Sequence, residues 1–287
     1  MLNLGIVGAE NSHSWQIGKT CNIDKAVSMR VTLLWGEASK FAKEAAEKGN
    51  IPEIVKDWRD MLGRVDGVMI DHRHPGPHFE PAKFFVENKV PLFVDKPFTY
   101  SLRKAKQLLD LAAKKKTPIT TFSNLAIQQS FAGLKKAVAK LGKTQAVNSH
   151  GPVDIKSKYG GIFFYGIHQI DTLVELLGTD AKSAFLQKQG ANGVATILFK
   201  SGAVATVNCI KENAGGFHWR VCGEKGMICH DHVPDKNSYL VSAKLIRKLL
   251  STGKTPFSRE RMLAPIAILE ALDKSLKTGK PANVAKF

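Results

Sequence analysis

Cysteine pairs and long apolar runs are both missing from this chain. Its four cysteines are widely spaced over 287 residues and form no CxxC pair, which argues against a disulfide framework and favours reduced thiols, buried as small hydrophobic residues. No apolar run approaches the length of a membrane span, and the first eight residues have the pattern of a strand rather than of a signal peptide. Together these features predict a cytoplasmic protein.

Acidic residues are also few relative to basic ones. The 42 lysines and arginines exceed the 25 aspartates and glutamates, which gives a formal net charge of +17. Many lysines lie near the ends of predicted helices, where cations complement the helix dipole and are solvated. A field that attracts an anionic cofactor or substrate is the alternative. Nucleic-acid binding is not expected, because no basic stripe interleaved with aromatic residues is present.

The length of the chain exceeds what one hydrophobic core usually supports, so we expect an α/β protein of two domains. Residues 1–122 alternate β-rich runs with amphipathic stretches, which is typical of βαβ units in a doubly wound parallel sheet. The predicted strands are Leu4–Val7, Arg30–Leu34, Gly67–Ile70, Val90–Val94 and Pro118–Phe122. The predicted helices are Ser39–Lys48, His78–Asn88 and Ser101–Lys115.

Residues 123–287 carry short alternating runs separated by glycines or charged turns, which predicts an open, mostly antiparallel sheet. The predicted strands are Thr144–Ser149, Ala181–Lys188, Gly193–Phe199, Ala203–Cys209, Phe217–Cys222 and Met227–His230. The predicted helices are Ser130–Leu141, Gly166–Leu177 and Ser258–Thr278, the last two of which end at glycines.

The most informative motif is a lysine held between a carboxylate and a proline, Asp95-Lys96-Pro97, directly after a predicted strand. Open α/β sheets bind their ligands at this carboxyl edge. With the segment Gly166–Asp171, the motif makes the chain resemble the glucose-fructose oxidoreductase/inositol dehydrogenase (Gfo/Idh/MocA) family, which carries a Glu-Lys-Pro tripeptide. Residues 66–97 and 271–281 are similar to the family's fourth-to-fifth strand segment and to its terminal helix.

The resemblance implies a Rossmann dinucleotide-binding domain at residues 1–122 and a substrate-binding and oligomerisation domain at 123–287. It implies an NAD(P)-dependent oxidoreductase that transfers a hydride between nicotinamide and a sugar, cyclitol or related polyhydroxy substrate, and a homodimer or homotetramer formed through the C-terminal sheet. Lys96 would hold the reacting oxygen and His168 would be the general acid and base. A surface ion pair and a hydrogen-bonded core histidine are the respective alternatives. Pro97 is expected to follow a cis peptide bond.

The surroundings of His168 depart from the family. An aspartate four residues before the histidine is replaced by Phe164. Tyr165 and Asp171, the latter on the same helical face as His168, are candidates to compensate; an apolar wall at residues 163–165 is the alternative. Asn124 stands where many members carry Asn-Arg-Arg, and no arginine follows it. The predicted substrate contacts are Lys96, Asn124, Tyr165, His168 and Asp171.

The cofactor site departs further. A G-x-G-x-x-G fingerprint needs glycine at positions 8, 10 and 13, and the chain has Gly8, Glu10 and His13. Trp35 occupies the place of the acid that binds adenosine ribose, and Glu37 follows two residues later; Trp35 would stack on adenine or fill the groove. We expect NAD or NADP to bind with weaker affinity. The predicted contacts are Gly8, Ala9, Glu10, Asn11, Ser12, His13, Trp35, Asp71, His72, His74, His78, Asp95, Lys96 and Pro97.

Two histidine-rich segments invite a metal hypothesis. In the first, residues 71–78 after the fourth strand, the spacing matches no strong metal motif, so pocket lining and helix capping are favoured. In the second, residues 222–232, Gly223 and Gly226 favour a hairpin turn.

Two other functions stay open on the sequence alone. A ligand-sensing protein on a decayed dehydrogenase scaffold is suggested by the missing glycines, ribose acid and carboxylate, and the fold itself does not exclude it. A lyase or glycoside hydrolase that uses its cofactor transiently is the third hypothesis.

Overall fold

The computed structural model describes residues 1–212 and 215–287, and the chain divides into two compact units. The first unit comprises Met1–Thr99, Arg103–Phe122 and Lys236–Ser258. The second comprises Tyr100–Leu102, Ser123–Asp235 and Arg259–Phe287.

The elements are named here in chain order. The α-helices are α1 (Ser12–Gly18), α2 (Ser39–Gly49), α3 (Phe79–Glu87), α4 (Leu102–Lys115), α5 (Gln129–Val138), α6 (Ile162–Leu177), α7 (Leu240–Thr252) and α8 (Arg259–Thr278). The strands are β1 (Leu2–Val7), β2 (Met29–Trp35), β3 (Glu53–Ile54), β4 (Gly67–Ile70), β5 (Leu92–Val94), β6 (Ile119–Thr120), β7 (Thr144–Pro152), β8 (Ala181–Gln189), β9 (Asn192–Phe199), β10 (Val204–Ile210), β11 (His218–Gly223), β12 (Gly226–Asp231) and β13 (Ala282–Asn283).

The first unit is built on a parallel sheet in the order β3-β2-β1-β4-β5-β6. Strands β4 and β5 are buried along their whole length, as expected for strands covered by helices on both faces. The chain leaves β1 towards β2 on one side and continues at β4 on the other, and ligands bind at such a switch point. The predicted doubly wound sheet is confirmed.

Two predicted strands are longer than the observed ones, and both differences involve proline. The ladder begins at Leu92 and at Ile119, directly after Pro91 and Pro118. Proline has no N–H to donate, so each contributes only its carbonyl, Pro91 to Val68 and Pro118 to Leu92.

The second unit is built on a mixed sheet in the order β12-β11-β7-β10-β9-β8-β13, in which β7 and β10 are the parallel neighbours. The other pairings are antiparallel, so the predicted mostly antiparallel sheet is confirmed. Helices α6 and α8 supply apolar residues to the core beneath it, including Leu173 and Leu272. The Trp219 indole lies in this core and donates to Thr172 Oγ1 at 3.1 Å.

Helix α7 was not predicted, and the segment that contains it belongs to a different unit from the predicted one. The sequence assigns residues 123–287 to the second domain, but Lys236–Ser258 belongs to the first unit. The physical reason is local burial: Ala243, Ile246 and Leu249 are fully buried, and a Cβ on Gly67 would lie 2.7 Å from Leu250. The return of the chain to the first unit could not be predicted from hydrophobic periodicity, because the pattern does not show which unit a helix packs against.

The cysteine prediction is right in part. Cys21 and Cys209 are buried thiols whose pKa values burial raises to about 12. Cys229 is exposed because it lies on the outer face of edge strand β12. The predicted hairpin is present, since β11 and β12 pair antiparallel up to Gly223 and Gly226. Among the described residues, no helix is long and apolar enough to cross a membrane.

The packing of α7 gives a stability prediction. Replacing the fully buried side chain in Ile246→Ala should lower the free energy of unfolding by about 2–5 kcal/mol, because a cavity is left in the first unit. Arg247→Ala, on the exposed side of the same helix, is the control and should change it by less than about 0.5 kcal/mol. Urea unfolding measures both; equal, small effects would contradict the observed packing of α7.

Candidate cofactor and active site

Lys96 lies just beyond the carboxyl end of β5. The Asp95 N–H donates to Ile70 O at 2.8 Å, and the Lys96–Pro97 peptide bond is cis, as the resemblance implies. Only 7% of Lys96 is exposed. Burial lowers the pKa of the Lys96 ammonium, against the opposing effect of Asp95 and Asp71. A lysine in this setting gives up its proton more readily than an exposed one.

A hydrogen-bonded cluster near this lysine joins residues that follow three neighbouring strands, β1, β4 and β5. Asn11 Nδ2 donates to Asp71 Oδ1 at 2.9 Å and to Asp95 Oδ2 at 3.1 Å. His13 Nδ1 lies 3.0 Å from Asp95 Oδ1. The carboxyl ends of parallel strands meet at one edge, so the β1–α1 turn, β4 and β5 bring these side chains together.

The two carboxyl groups of the cluster differ in their affinity for a proton. Burial, and then the nearby Asp95 charge, hold the pKa of Asp71 well above its usual range. Burial also opposes ionisation of Asp95, but His13 and Lys96 outweigh it and lower the pKa of Asp95 to about 2. The pKa values of the two carboxyl groups are therefore displaced in opposite directions, and of the two Asp71 binds a proton more readily.

The same cluster has the composition of a metal site. Ligand atoms of His13, Asp71 and Asp95 all lie within 4.8 Å of one another. Asn11 donates to both carboxyl groups and the Lys96 charge acts on both, so the negative charge is balanced by the chain itself. A hydrogen-bonded cluster accounts for the arrangement, and the absence of a metal stays a prediction.

The histidine-rich loop after β4 is organised differently from the prediction. His78 is fully buried, and its ring nitrogens face backbone carbonyls: Nε2 lies 2.9 Å from His72 O, and Nδ1 lies 3.2 Å from Pro97 O. His78 is the N-cap residue of α3, and its side chain makes no capping hydrogen bond to that helix. Capping contact in this loop comes from His74, whose Nδ1 accepts from the Gly76 N–H at 3.1 Å.

His72 and Trp35 form the wall beside this loop. Burial lowers the pKa of His72 to about 3, so its ring is neutral at physiological pH. The two ring centroids are 5.8 Å apart. The Trp35 Nε1 donates to Lys56 O at 3.2 Å, which fixes the indole at the end of β2. This arrangement favours the groove-filling interpretation of Trp35.

The β1–α1 turn keeps one essential glycine. Gly8 has a φ of 115°, and a Cβ there would lie 2.5 Å from His72 N, so a side chain is excluded. The next two amides, Ala9 N and Glu10 N, donate to Glu37 Oε2 at 2.8 and 3.2 Å. Ser12 begins α1 directly afterwards.

The residues of this turn fit a dinucleotide under one condition. Two neighbouring amides already hold one anionic oxygen, which is the interaction a phosphate oxygen needs. Glu37 is exposed and is therefore able to leave the turn. Glu37, two residues after the place of the family's ribose acid, thus holds the two amides of the β1–α1 turn.

His168 belongs to the second unit, on α6. Its Nδ1 lies 2.7 Å from Ser123 Oγ, and its ring is packed against the edges of Tyr165 and Phe217, with centroids 5.4 and 5.7 Å away. Tyr165 is 38% exposed, while His168 is 9% exposed. The Phe164 ring packs on Tyr165 at 4.9 Å, in agreement with the apolar-wall interpretation of this segment.

Asp171 is connected to His168 through Ser123. Its Oδ2 accepts from the Ser123 backbone N–H at 3.0 Å, and its Oδ1 accepts from Arg261 Nη1 at 2.7 Å. Arg261 also donates to Glu175 Oε1. Asn124 begins a 3-10 turn, Asn124–Ile127, that Ser123 caps. Sequence reasoning missed Ser123, because its only local signal is a capping position and its partner is 45 residues away.

The parallel sheet of the first unit has the strand order of a dinucleotide-binding Rossmann domain. Residues 2–122 match the family model GFO_IDH_MocA, described as an oxidoreductase family with an NAD-binding Rossmann fold. Through these residues the chain is similar to the Gfo/Idh/MocA family, which confirms the resemblance found in the sequence.

Curated relatives agree with this assignment. The chain is 36% identical over 161 residues to the uncharacterized oxidoreductase YhhX of Escherichia coli (strain K12), and the match covers 50% of this chain and 46% of that protein. It therefore spans less than half of this relative. The chain is 25% identical over 254 residues to the uncharacterized oxidoreductase YrbE of Bacillus subtilis (strain 168), which covers 79% and 73% of the two chains.

Solved structures share the fold over the whole chain. A probable dehydrogenase from Thermotoga maritima has a TM-score of 0.84 at 20% identity and covers 99% of both chains. The myo-inositol dehydrogenase of Lactobacillus casei, solved with NAD(H) and myo-inositol, has a TM-score of 0.86 at 17% identity and covers 100% of this chain and 98% of its own.

The position of Glu37 gives a prediction for cofactor affinity. Glu37→Ala should bind NAD⁺ about twofold to fivefold more tightly, because the amides of Ala9 and Glu10 lose a solvent-screened competitor. Glu47→Ala removes the same charge from an exposed site on α2 and should leave affinity unchanged. Fluorescence titration measures both, and a weaker or unchanged affinity in Glu37→Ala would contradict the competition.

Proposed function

We propose that this protein is an NAD-dependent oxidoreductase that transfers a hydride between nicotinamide and a sugar, cyclitol or related polyhydroxy compound. The observation that carries the proposal is Lys96, a buried ammonium of lowered pKa beside two carboxyl groups at the carboxyl edge of a Rossmann sheet. The inositol dehydrogenases of Lactobacillus casei that share its fold, solved with NAD(H) and an inositol, support the substrate class.

In this proposal the β1–α1 turn holds the cofactor. The amides of Ala9 and Glu10 would bind a phosphate oxygen in place of Glu37, and Trp35 and His72 would line the neighbouring wall. The bound nicotinamide supplies the hydride acceptor or donor. The chain itself then has to bind the substrate, polarise its oxygen and move one proton.

Lys96 is the group proposed to hold the reacting oxygen. Oxidation of a secondary alcohol removes a hydride from carbon and a proton from the hydroxyl. An ammonium of lowered pKa donates a hydrogen bond to this oxygen and, when deprotonated, takes up its proton. Asp95 keeps a negative charge beside the lysine, and His13 and Asn11 orient that carboxylate. His168 is the second proposed proton-exchanging group.

Removal of the Lys96 ammonium tests the proposal. Lys96→Ala should lower kcat by a factor of about a hundred or more, because the reacting oxygen loses its donor and its proton-exchanging group. Lys114→Ala, on the exposed face of α4, is the control and should keep full activity. The assay is NAD⁺ reduction with a panel of inositols and sugars, and circular dichroism verifies folding.

The outcomes of this assay separate the rival functions. Cofactor binding with polyol-dependent turnover in the native chain, lost in the folded Lys96→Ala variant, supports the proposal. Ligand binding without turnover would overturn it in favour of a sensing protein. Retention of cofactor through a reaction without net oxidation would overturn it in favour of a lyase or hydrolase.

We also propose that the second unit associates with a further copy of this chain through the open face of its sheet. Val194 and Leu198 on β9 are 45% and 42% exposed, and Val204 on β10, 37% exposed, pairs directly with Leu198. Adjacent exposed apolar residues on a sheet face are typical of a protein interface.

A charge in this face tests the association. Leu198→Asp should shift the protein from an oligomer to a monomer, because it would bury an unpaired carboxylate between two copies. Ile23→Asp, at a similarly exposed apolar residue of the first unit, should not. Light scattering after size-exclusion chromatography gives the masses; a native chain that is already monomeric would overturn this part of the proposal.

A further inference from the structure

We propose that Ser123 is the positioning residue of His168 and that it holds the neutral imidazole with its proton on Nε2. The inference rests on the proton-exchanging role proposed above for His168. In place of a carboxylate at position 164, this assignment uses a hydroxyl contributed by another segment of the second unit.

Hydrogen-bond accounting at the Ser123 hydroxyl supports this assignment. The Oγ accepts from the Leu125 N–H at 3.2 Å and lies 2.7 Å from His168 Nδ1. Ser123 is only 1% exposed, so solvent does not serve its hydrogen. In its contact with Leu125 the Oγ is the acceptor, so that contact does not use the hydroxyl hydrogen. Within the described residues, His168 Nδ1 is therefore the acceptor for the Ser123 hydroxyl hydrogen.

The tautomer of His168 follows from this contact. If Nδ1 carried the proton of the neutral ring, two hydrogens would compete for the short space between Nδ1 and Oγ, and the hydroxyl hydrogen would be buried without an acceptor. The hydroxyl therefore donates to an unprotonated Nδ1, and Nε2 carries the N–H. In this form His168 presents the Nε2 N–H as a hydrogen-bond donor, suited to polarise a carbonyl oxygen during its reduction.

The backbone of Ser123 is fixed independently of the imidazole. Its N–H donates to Asp171 Oδ2, and Asp171 is held by an ion pair with Arg261. Asp171 and His168 lie one turn apart on α6, so the carboxylate holds the serine that in turn holds the ring. Asp171 therefore acts on His168 through Ser123.

The direct test is the ¹⁵N NMR spectrum of His168 at a pH where its ring is neutral. The His168 signals are assigned by their loss in His168→Gln. In the native chain Nδ1 should resonate as an unprotonated nitrogen and Nε2 as a protonated one. In Ser123→Ala the two nitrogens should move towards each other as the tautomers mix. A native spectrum with the proton on Nδ1, or an unchanged spectrum in Ser123→Ala, would overturn the proposal.

A matched control separates positioning from general packing. Ser149 is also fully buried in the second unit, and its hydroxyl donates to Gln169 on the same helix at 2.7 Å. Ser149→Ala should leave the His168 signals unchanged. If Ser123→Ala does not fold, Ser123→Cys keeps the side-chain volume with a weaker donor and should shift the signals in the same direction. A folded Ser123→Cys variant with the native spectrum would overturn the proposal.

Kinetics give the second readout. Ser123→Ala should lower kcat for carbonyl reduction by about tenfold to a hundredfold, the usual effect of removing a partner that orients a working histidine. KM for the cofactor should stay unchanged. Equal kcat in Ser123→Ala and Ser149→Ala would contradict the positioning role. The spectrum tests Ser123 even without turnover, so failure of the proposed reaction and failure of this inference are distinguishable.

Discussion

The candidate site of the first unit depends on the hydrogen bonds that stabilise the buried carboxylate of Asp95. This carboxylate accepts from Asn11, in the β1–α1 turn, and lies against His13, in the first turn of α1. A carboxylate out of water is costly unless it is paired and hydrogen-bonded. Because Asp95 adjoins Lys96, the groups that satisfy this charge also set the electrostatic surroundings of the lysine and the place of the turn.

Side chains that the family does not predict repeatedly replace those that it does. Glu37 holds the turn amides where a phosphate oxygen would bind, and Ser123 contacts the imidazole in place of a carboxylate at position 164. In both cases the substitute forms a hydrogen bond to the group left without its family partner.

The sequence predicted most of the strands because they carry local patterning, β-branched runs bounded by glycine or proline. Strands β3 and β13, of two residues each, are too short for such a pattern and were not predicted. The sequence predicted the position of Lys96 from the same patterning, since the residue after a buried parallel strand lies at the carboxyl edge. Helix α7 was not predicted to belong to the first unit, because an amphipathic pattern does not show which unit the apolar face of a helix packs against. The contacts of Ser123 and Glu37 also escaped, because they join residues 45 and 28 positions apart in the chain.

The pH dependence of hydride transfer tests the central claim, that a buried ammonium of lowered pKa exchanges the proton of the reacting oxygen. The account predicts that kcat/KM, followed by the appearance of NADH, titrates with a pKa below the ordinary value for lysine. It also predicts that this titration disappears in Lys96→Met. A titration at the ordinary lysine value, or one retained in Lys96→Met, would contradict the account.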